Sequence, residues 1–267
     1  MSVNGPPSRV PDFQFLRIEA RDDVAIVTLD RPPVNAVSQA MYEEIRELFS
    51  RADELLPPAA KVVILGSEGP HFCAGNDLDE FVSLNPQNSP GRMKVVREAF
   101  AAIYDCPVPT IAAVQGVAAG TGVAIASSCD LVICAESARL TTPEVGVGIM
   151  GGARHLRRLV PEQQMRLMYF TAEPVPASEL LAYGGIVAVV PDDELLTAAL
   201  SLASRITVHS RAALRHAKEA LNAVESMGLK SGYETEQSFT TRLSGHPDSA
   251  EARRAIVERR DPQYADS

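Results

Sequence analysis

Three stretches of the chain hold residues that could do chemistry together. Residues 109–130 read PTIAAVQGVAAGTGVAIASSCD. Ile111–Val114 is an apolar run of strand length, Gly116, Gly120 and Gly122 follow among Ala and Thr, and a second apolar run leads to Asp130. A strand feeding a glycine-rich bend and then a helix of small residues leaves unpaired N–H groups at the helix start. The helix dipole turns its positive end the same way, and glycine lets a ligand approach the backbone. The stretch is therefore a candidate anion or oxyanion site, with tight helix packing through Gly and Ala as the structural alternative. Residues 66–80, GSEGPHFCAGNDLDE, make a second glycine-bearing loop after the strand-like Val62–Leu65. Residues 138–148, ARLTTPEVGVG, hold one carboxylate, Glu144, between a proline and a glycine-rich turn. Two loops that offer N–H groups and one placed acid are the parts of a site that forms and stabilises an enolate.

The elements that must position these residues can be read from apolar periodicity. Phe13–Glu19 and Val24–Leu29 read as strands joined by a turn at Arg21-Asp22-Asp23. Pro32 and Pro33 exclude helix from the DRPPVNAV segment at 30–37. Ser38 reads as an N-cap for a helix over Ala40–Leu56, with Met41, Ile45, Leu48, Phe49 and Ala52 at helical spacing. Lys61–Leu65 is strand-like, 83–91 is turn-rich, and Arg92–Tyr104 reads as helix. Leu131–Ala135, Ala138–Leu140 and Gly185–Val190 are short strands. Pro161–Phe170, Pro176–Ala182, Asp192–Ile206, 210–226, 230–243 and 248–260 are helical patterns, and residues 1–11 read as a flexible arm. Strands alternating with helices predict an α/β fold with a mostly parallel sheet.

Composition narrows the class. A chain of 267 residues that is 46% hydrophobic and 22% charged supports a sizeable core. A net charge of −9 argues against nucleic acid or an anionic membrane as the main partner. The longest apolar stretch, 111–126, is broken by Gln115 and several glycines and reads as core. Cys73, Cys106, Cys129 and Cys134 form no C-x-x-C pair, so a metal site is not expected; they read as buried thiols of a reducing, cytoplasmic setting. The first residues, MSVNGPPSRVPDF, contain no apolar leader pattern.

Taken together, VAIVTLDRPPVNAV (24–37), HFCAGNDL (71–78), the run from Val114 to Gly148 and a helical tail ending AIVERRDPQY (255–264) resemble the enoyl-CoA hydratase/isomerase, or crotonase, superfamily over most of the chain. The resemblance implies a spiral of ββα units, with a crotonase-like core and acyl-CoA site over 12–200. It implies a C-terminal helical region over 201–267 that builds a homotrimer or a dimer of trimers. It also implies an acyl-CoA thioester substrate, with coenzyme A as part of that substrate and no separate cofactor. By motif, the main-chain N–H groups of Asn76 and Thr121 become the oxyanion donors, with Gly120 beside them, and Glu144 becomes the catalytic acid–base. Val34, Ala74, Asn76, Asp77 and Leu78 would line the nucleotide and pantetheine path.

Several positions depart from the family pattern. The hydratase's first glutamate would fall at 124, where this chain has Ala124; Thr121 stands where glycine is frequent, and Asn76 where a small residue is common. Asn76 and Asp77 also have a plain reading as helix caps. A helper lysine is replaced by Asp79, leaving Arg259 or Arg260 as basic substitutes, and Arg154 and His155 interrupt a small-residue run at 151–159. One base is enough to move a double bond, whereas hydration uses two carboxylates to hold and activate a water. The expected activity is thus an isomerase-like proton shuttle by Glu144, with enoyl-CoA hydration or non-catalytic acyl-CoA binding as alternatives. Gly146, Gly148 and Gly151 spell the dinucleotide fingerprint, but no long buried strand precedes them.

Overall fold

A computed structural model describes residues 11–265. The arm expected over 1–11 lies outside those residues except for Pro11. The chain opens with β1 (Leu16–Arg21) and β2 (Val24–Leu29), antiparallel and joined through Asp22 and Asp23, with Asp22 at φ 52. This is a left-handed conformation that Asp tolerates better than most residues. β1 starts three residues later than expected because the amides of Gln14 and Phe15 donate to the Glu44 carboxylate, at 2.8 and 2.9 Å, and so cannot pair with β2.

The helix predicted over 40–56 is two helices, α1 (Gln39–Ser50) and α2 (Ala52–Leu55), broken where Arg51 leaves helical geometry at φ −114, ψ 30. Ser38 caps α1 by accepting from the Met41 amide. Then come β3 (Val62–Ser67), a short α3 (Leu78–Val82) and α4 (Ser89–Tyr104). Helix α4 begins inside the stretch read as turn-rich, because Pro90 in a first turn has no N–H that needs a partner. β4 (Thr110–Val114) leads to β5 (Val117–Ala119), α5 (Thr121–Ser128), β6 (Leu131–Ala135) and β7 (Arg139–Thr141). A 3-10 turn at Glu144–Val147 precedes α6 (Ala153–Leu156), α7 (Glu162–Thr171), β8 (Val175–Pro176), α8 (Ala177–Ala182) and β9 (Ala188–Val190). The chain ends in α9 (Leu195–Thr207), α10 (Arg211–Val224), α11 (Leu229–Ser244) and α12 (Pro247–Glu258).

One sheet runs β1-β2-β3-β4-β6-β9, parallel except at the first hairpin, and a smaller sheet runs β5-β7-β8. Strand alternation divides the large sheet. Val24, Ile26, Val62, Ile64, Ile111, Ala113, Ile133 and Ala135 face α9 through Leu195, Ala199 and Ala203. Val27, Val63, Leu65, Ala112 and Val132 face the main core, with Met41, Ile45, Leu48 and Phe49 of α1 and Ile103 of α4. Both faces are covered, which is why these strands read as unbroken apolar runs. Residue 200, the expected end of the core region, falls inside α9, whose apolar face closes the sheet.

Candidate active site

The chain leaves the large sheet for the small one at Gln115-Gly116. A methyl group on Gly116 would lie 2.0 Å from the Pro70 carbonyl oxygen, and its φ is 55, so only glycine fits there. This bend lays β5 against the 71–78 loop: Cys73 donates to Val117 O at 3.1 Å, and Ala119 donates to Cys73 O at 2.9 Å. On its other side the loop is bound to the 30–37 turn, through Ala74 N–H to Val34 O (3.0 Å), Val37 N–H to Gly75 O (2.8 Å) and Asp77 N–H to Val37 O (3.0 Å). Helix α5 closes down on the same loop, and a methyl on Gly122 would sit 2.4 Å from Cys73 O. Sequence-distant glycine loops are thereby welded into one unit.

Asn76 and Thr121 sit on the two sides of that weld. Among the described residues, no oxygen accepts from the main-chain N–H of either one. Thr121 is the first residue of α5, where an amide has no intrahelical acceptor. Their side chains meet at a residue that sequence reasoning missed, Tyr42 of α1. Its hydroxyl lies 2.6 Å from Asn76 Oδ1 and 2.6 Å from Thr121 Oγ1. Tyr42 is buried, and burial pushes its hydroxyl far above the usual tyrosine pKa. The only signal for it in the sequence was one more large side chain on the buried face of α1.

Glu144 follows Pro143 in the 3-10 turn and is 5% exposed. Its Oε2 is buried with no hydrogen-bond partner among the described residues. A methyl on Gly120 or on Gly152 would come within 3.1 Å of Oε1, so two glycines with φ 49 and 77 make room for the carboxylate. The acid therefore lies against the residue that immediately precedes Thr121. Burial without a cation raises its pKa above the ordinary carboxylate range. Ala124, one helical turn into α5, is buried and brings no second acid.

Along the expected nucleotide path, Val34 is half-buried, and Ala74 and Leu78 are exposed. Asp77 caps α3 by accepting from Asp79 N at 3.0 Å, so the capping reading describes this residue. Burial would raise its pKa, but the ion pair with Arg31 outweighs that and holds it below the usual range. Asn76 does not cap; its side chain goes to Tyr42. Arg260 pairs with Glu251 and Glu258, each at 2.6 Å, and Arg259 ends α12 at φ 54. The structure thus engages Arg260 within its own segment. His155 packs edge-on against Phe100 (5.1 Å), which packs edge-on against Tyr42 (5.8 Å). Burial and then Arg158 and Arg154 lower its pKa, which disfavours the charged ring. Arg154 lies 3.8 Å from Glu225. Gly146, Gly148 and Gly151 shape the turn that carries Glu144 and follow only the three-residue β7. No group of metal-ligating side chains and no membrane-length apolar helix occurs among the described residues.

A spiral α/β fold whose loops set free amides beside the residue that packs on a buried carboxylate defines a class, the crotonase-like enzymes. The family model for enoyl-CoA hydratase/isomerase matches residues 19–267, and the chain belongs to that family. It is 36% identical to a Rhodococcus jostii protein named (7aS)-7a-methyl-1,5-dioxo-2,3,5,6,7,7a-hexahydro-1H-indene-carboxyl-CoA hydrolase, over 91% of this chain and 93% of that one. It is 32% identical to an Arabidopsis thaliana protein named probable enoyl-CoA hydratase 2, mitochondrial, over 95% and 86% of the two chains. Among solved structures, one titled Pseudomonas aeruginosa DspI superposes with a TM-score of 0.90 at 28% identity, covering 97% of this chain and 100% of that one.

Proposed function

We propose that the protein draws a proton from a carbon activated by an acyl-CoA thioester, with Glu144 as its one base, and that the net reaction is a double-bond shift. The observation that carries this reading is the buried, unpartnered Oε2 of Glu144 in a site where Ala124 supplies no second acid. The thioester oxygen would sit at the free N–H groups of Asn76 and Thr121, which stabilise the enolate more than the ground state. Glu144 takes the proton, which its raised pKa favours, and returns it two carbons along; no water takes part. Coenzyme A lies along Val34, Ala74, Asn76, Asp77 and Leu78 in this reading, and the working unit is a homotrimer or a dimer of trimers.

A second reading is supported by the Rhodococcus jostii hydrolase and by a Mycobacterium tuberculosis relative of the same name at 35% identity. Where an oxo group lies β to a thioester, water activated by Glu144 can add to that ketone. The carbon–carbon bond then breaks, its electron pair enters the thioester enolate, and Glu144 returns the proton to the α-carbon. The same amides would stabilise the same oxygen.

Purified protein incubated with a 3-enoyl-CoA, a 2-enoyl-CoA and a cyclic β-oxoacyl-CoA separates these readings by product mass and absorbance. Isomerisation leaves the mass of the first substrate unchanged and is seen as the ultraviolet absorbance of the conjugated 2-enoyl thioester it forms. Ring opening adds one water to the third without releasing free thiol. Fast hydration of the 2-enoyl substrate would overturn the single-base account.

A further inference from the structure

The two residues proposed to present oxyanion amides depart from the small residues common in the family, and both departures end on one atom. Asn76 Oδ1 and Thr121 Oγ1 each lie 2.6 Å from the Tyr42 hydroxyl oxygen. A phenol has one proton to give. Asn76 Oδ1 only accepts, so Tyr42 donates to it and the Thr121 hydroxyl donates to Tyr42. The result is a directed chain from Thr121 through Tyr42 to Asn76 that joins the start of α5 to the 71–78 loop.

Among the described residues, the Tyr42 hydroxyl has no hydrogen-bond partner besides these two. Its ring is wedged between the α1 core and the edge of Phe100, 5.8 Å away, and the residue is 2% exposed. The helix that carries it is fixed at its own N-terminus by Ser38, and by Glu80 of α3, which accepts from Gln39 N at 2.8 Å. Tyr42 is therefore a rigid post between two loops, each of which holds an unpaired main-chain N–H.

We infer that Tyr42 is a positioning residue: its hydroxyl holds the Asn76 and Thr121 side chains together and so sets the separation and direction of the two amides. This rests on the reading that those amides receive the thioester oxygen. It makes the larger side chains at 76 and 121 a matched pair, each of which requires the other through Tyr42. Among the described residues no hydrogen bond joins this chain to Glu144, so Tyr42 is assigned no part in the proton transfer.

Acetoacetyl-CoA reports on the geometry directly, because its enolate absorbs in the near ultraviolet and its keto form does not. Wild type, Tyr42→Phe, Thr121→Val and the double variant are saturated with it, and the enolate band is read alongside kcat and KM on the substrate that the wild type turns over. Losing an oxyanion donor outright costs about 10²–10³ in rate, so loosening both is expected to cost about 10-fold. The loss should fall on kcat and on the enolate fraction, with KM nearly unchanged. Thr121→Val breaks the same chain from its other end, so it should match Tyr42→Phe, and the double variant should lose no more than either single. Thr121→Val alone carries the comparison if Tyr42→Phe does not fold.

An enolate band in the wild type that Tyr42→Phe and Thr121→Val leave at full height would overturn the positioning role while sparing the oxyanion reading. Additive losses in the double variant would also overturn it. Absence of the band from saturated wild type would overturn both.

Discussion

At the scale of single residues, the fold tolerates an unfavourable group at Glu144. A carboxylate with no cation and no donor on Oε2 is held at a cost in stability. Because burial raises its pKa in the folded state, the folded protein binds this proton more tightly than the unfolded chain does. Stability therefore declines as pH rises from the ordinary carboxylate pKa through the raised one, and is level above it. Activity follows the opposite course: a base must be ionised, so kcat rises with pH through the raised value. Glu144→Gln keeps the shape and removes the charge. It should lower kcat by about 10²–10⁴ and at the same time melt at a higher temperature than wild type at neutral pH, with the gap closing as the medium is acidified. Thermal melts across pH, paired with turnover, check this; a variant that melts lower at neutral pH would mean that Glu144 is not a strained acid. Glu144 was singled out in the sequence because it falls where the family motif places an acid; taken alone, a glutamate beside Pro143 reads as a solvated loop residue, and its burial comes from the fold. Tyr42 was not, because a tyrosine on the apolar face of a helix looks the same whether its hydroxyl is idle or bonded twice.

Between elements, the site depends on how closely α5 can approach the 71–78 loop. Gly122 allows this: the Cys73 carbonyl oxygen occupies the space a side chain would need, 2.4 Å from where a methyl carbon would lie. The neighbouring atom is backbone and bonded to Ala119 N–H, so it cannot swing away as a flexible side chain would. Gly122→Ala should push α5 and the loop apart. The resulting loss of kcat, about 10-fold or more if an oxyanion donor is misaligned, should exceed what its lowered melting temperature explains at the assay temperature. Equal activity in the folded variant would show that the two loops need not be this close. The same closeness explains what the sequence hid. Strands β2, β3, β4 and β6 carry long apolar runs and were readable. β5 has three residues between Gly116 and Gly120 and owes its extended form to Cys73 and β7 on either side. Such a strand is specified by its partners and not by its own composition. The late start of β1 has the same kind of cause, a side chain from α1 taking the amides that a sheet would have used.

For the whole molecule, sequence alternation was enough to give the α/β class, but the order of strands and the second sheet depend on pairings between distant segments that no local pattern encodes. The C-terminal helices show how the sheet and the tail are tied. Buried Lys218 of α10 lies 2.8 Å from Asp130, which also accepts from the Thr110 amide at 2.7 Å, so α10 is tied to the end of α5 and the start of β4. What this packing leaves uncovered has its own direction. Val147 and Met150, which follow Glu144, are exposed, as are Leu167 and Phe170 of α7, and Tyr169 joins the two segments by hydrogen-bonding Gly151. Exposed apolar groups on two joined segments suit an interaction surface, and a second copy of the chain is the partner consistent with the proposed trimer. Covering this surface would also stiffen the turn that holds the Glu144 carboxylate between Gly120 and Gly152. Phe170→Asp places a charge in the middle of it. In sedimentation velocity the wild type should run as a trimer or hexamer and Phe170→Asp as a smaller species. The variant should also lose activity in proportion to its dissociation and recover it at high protein concentration. A wild type that sediments as a monomer, or a dissociated variant with full activity, would detach the Glu144 turn from assembly and leave the site complete within one chain.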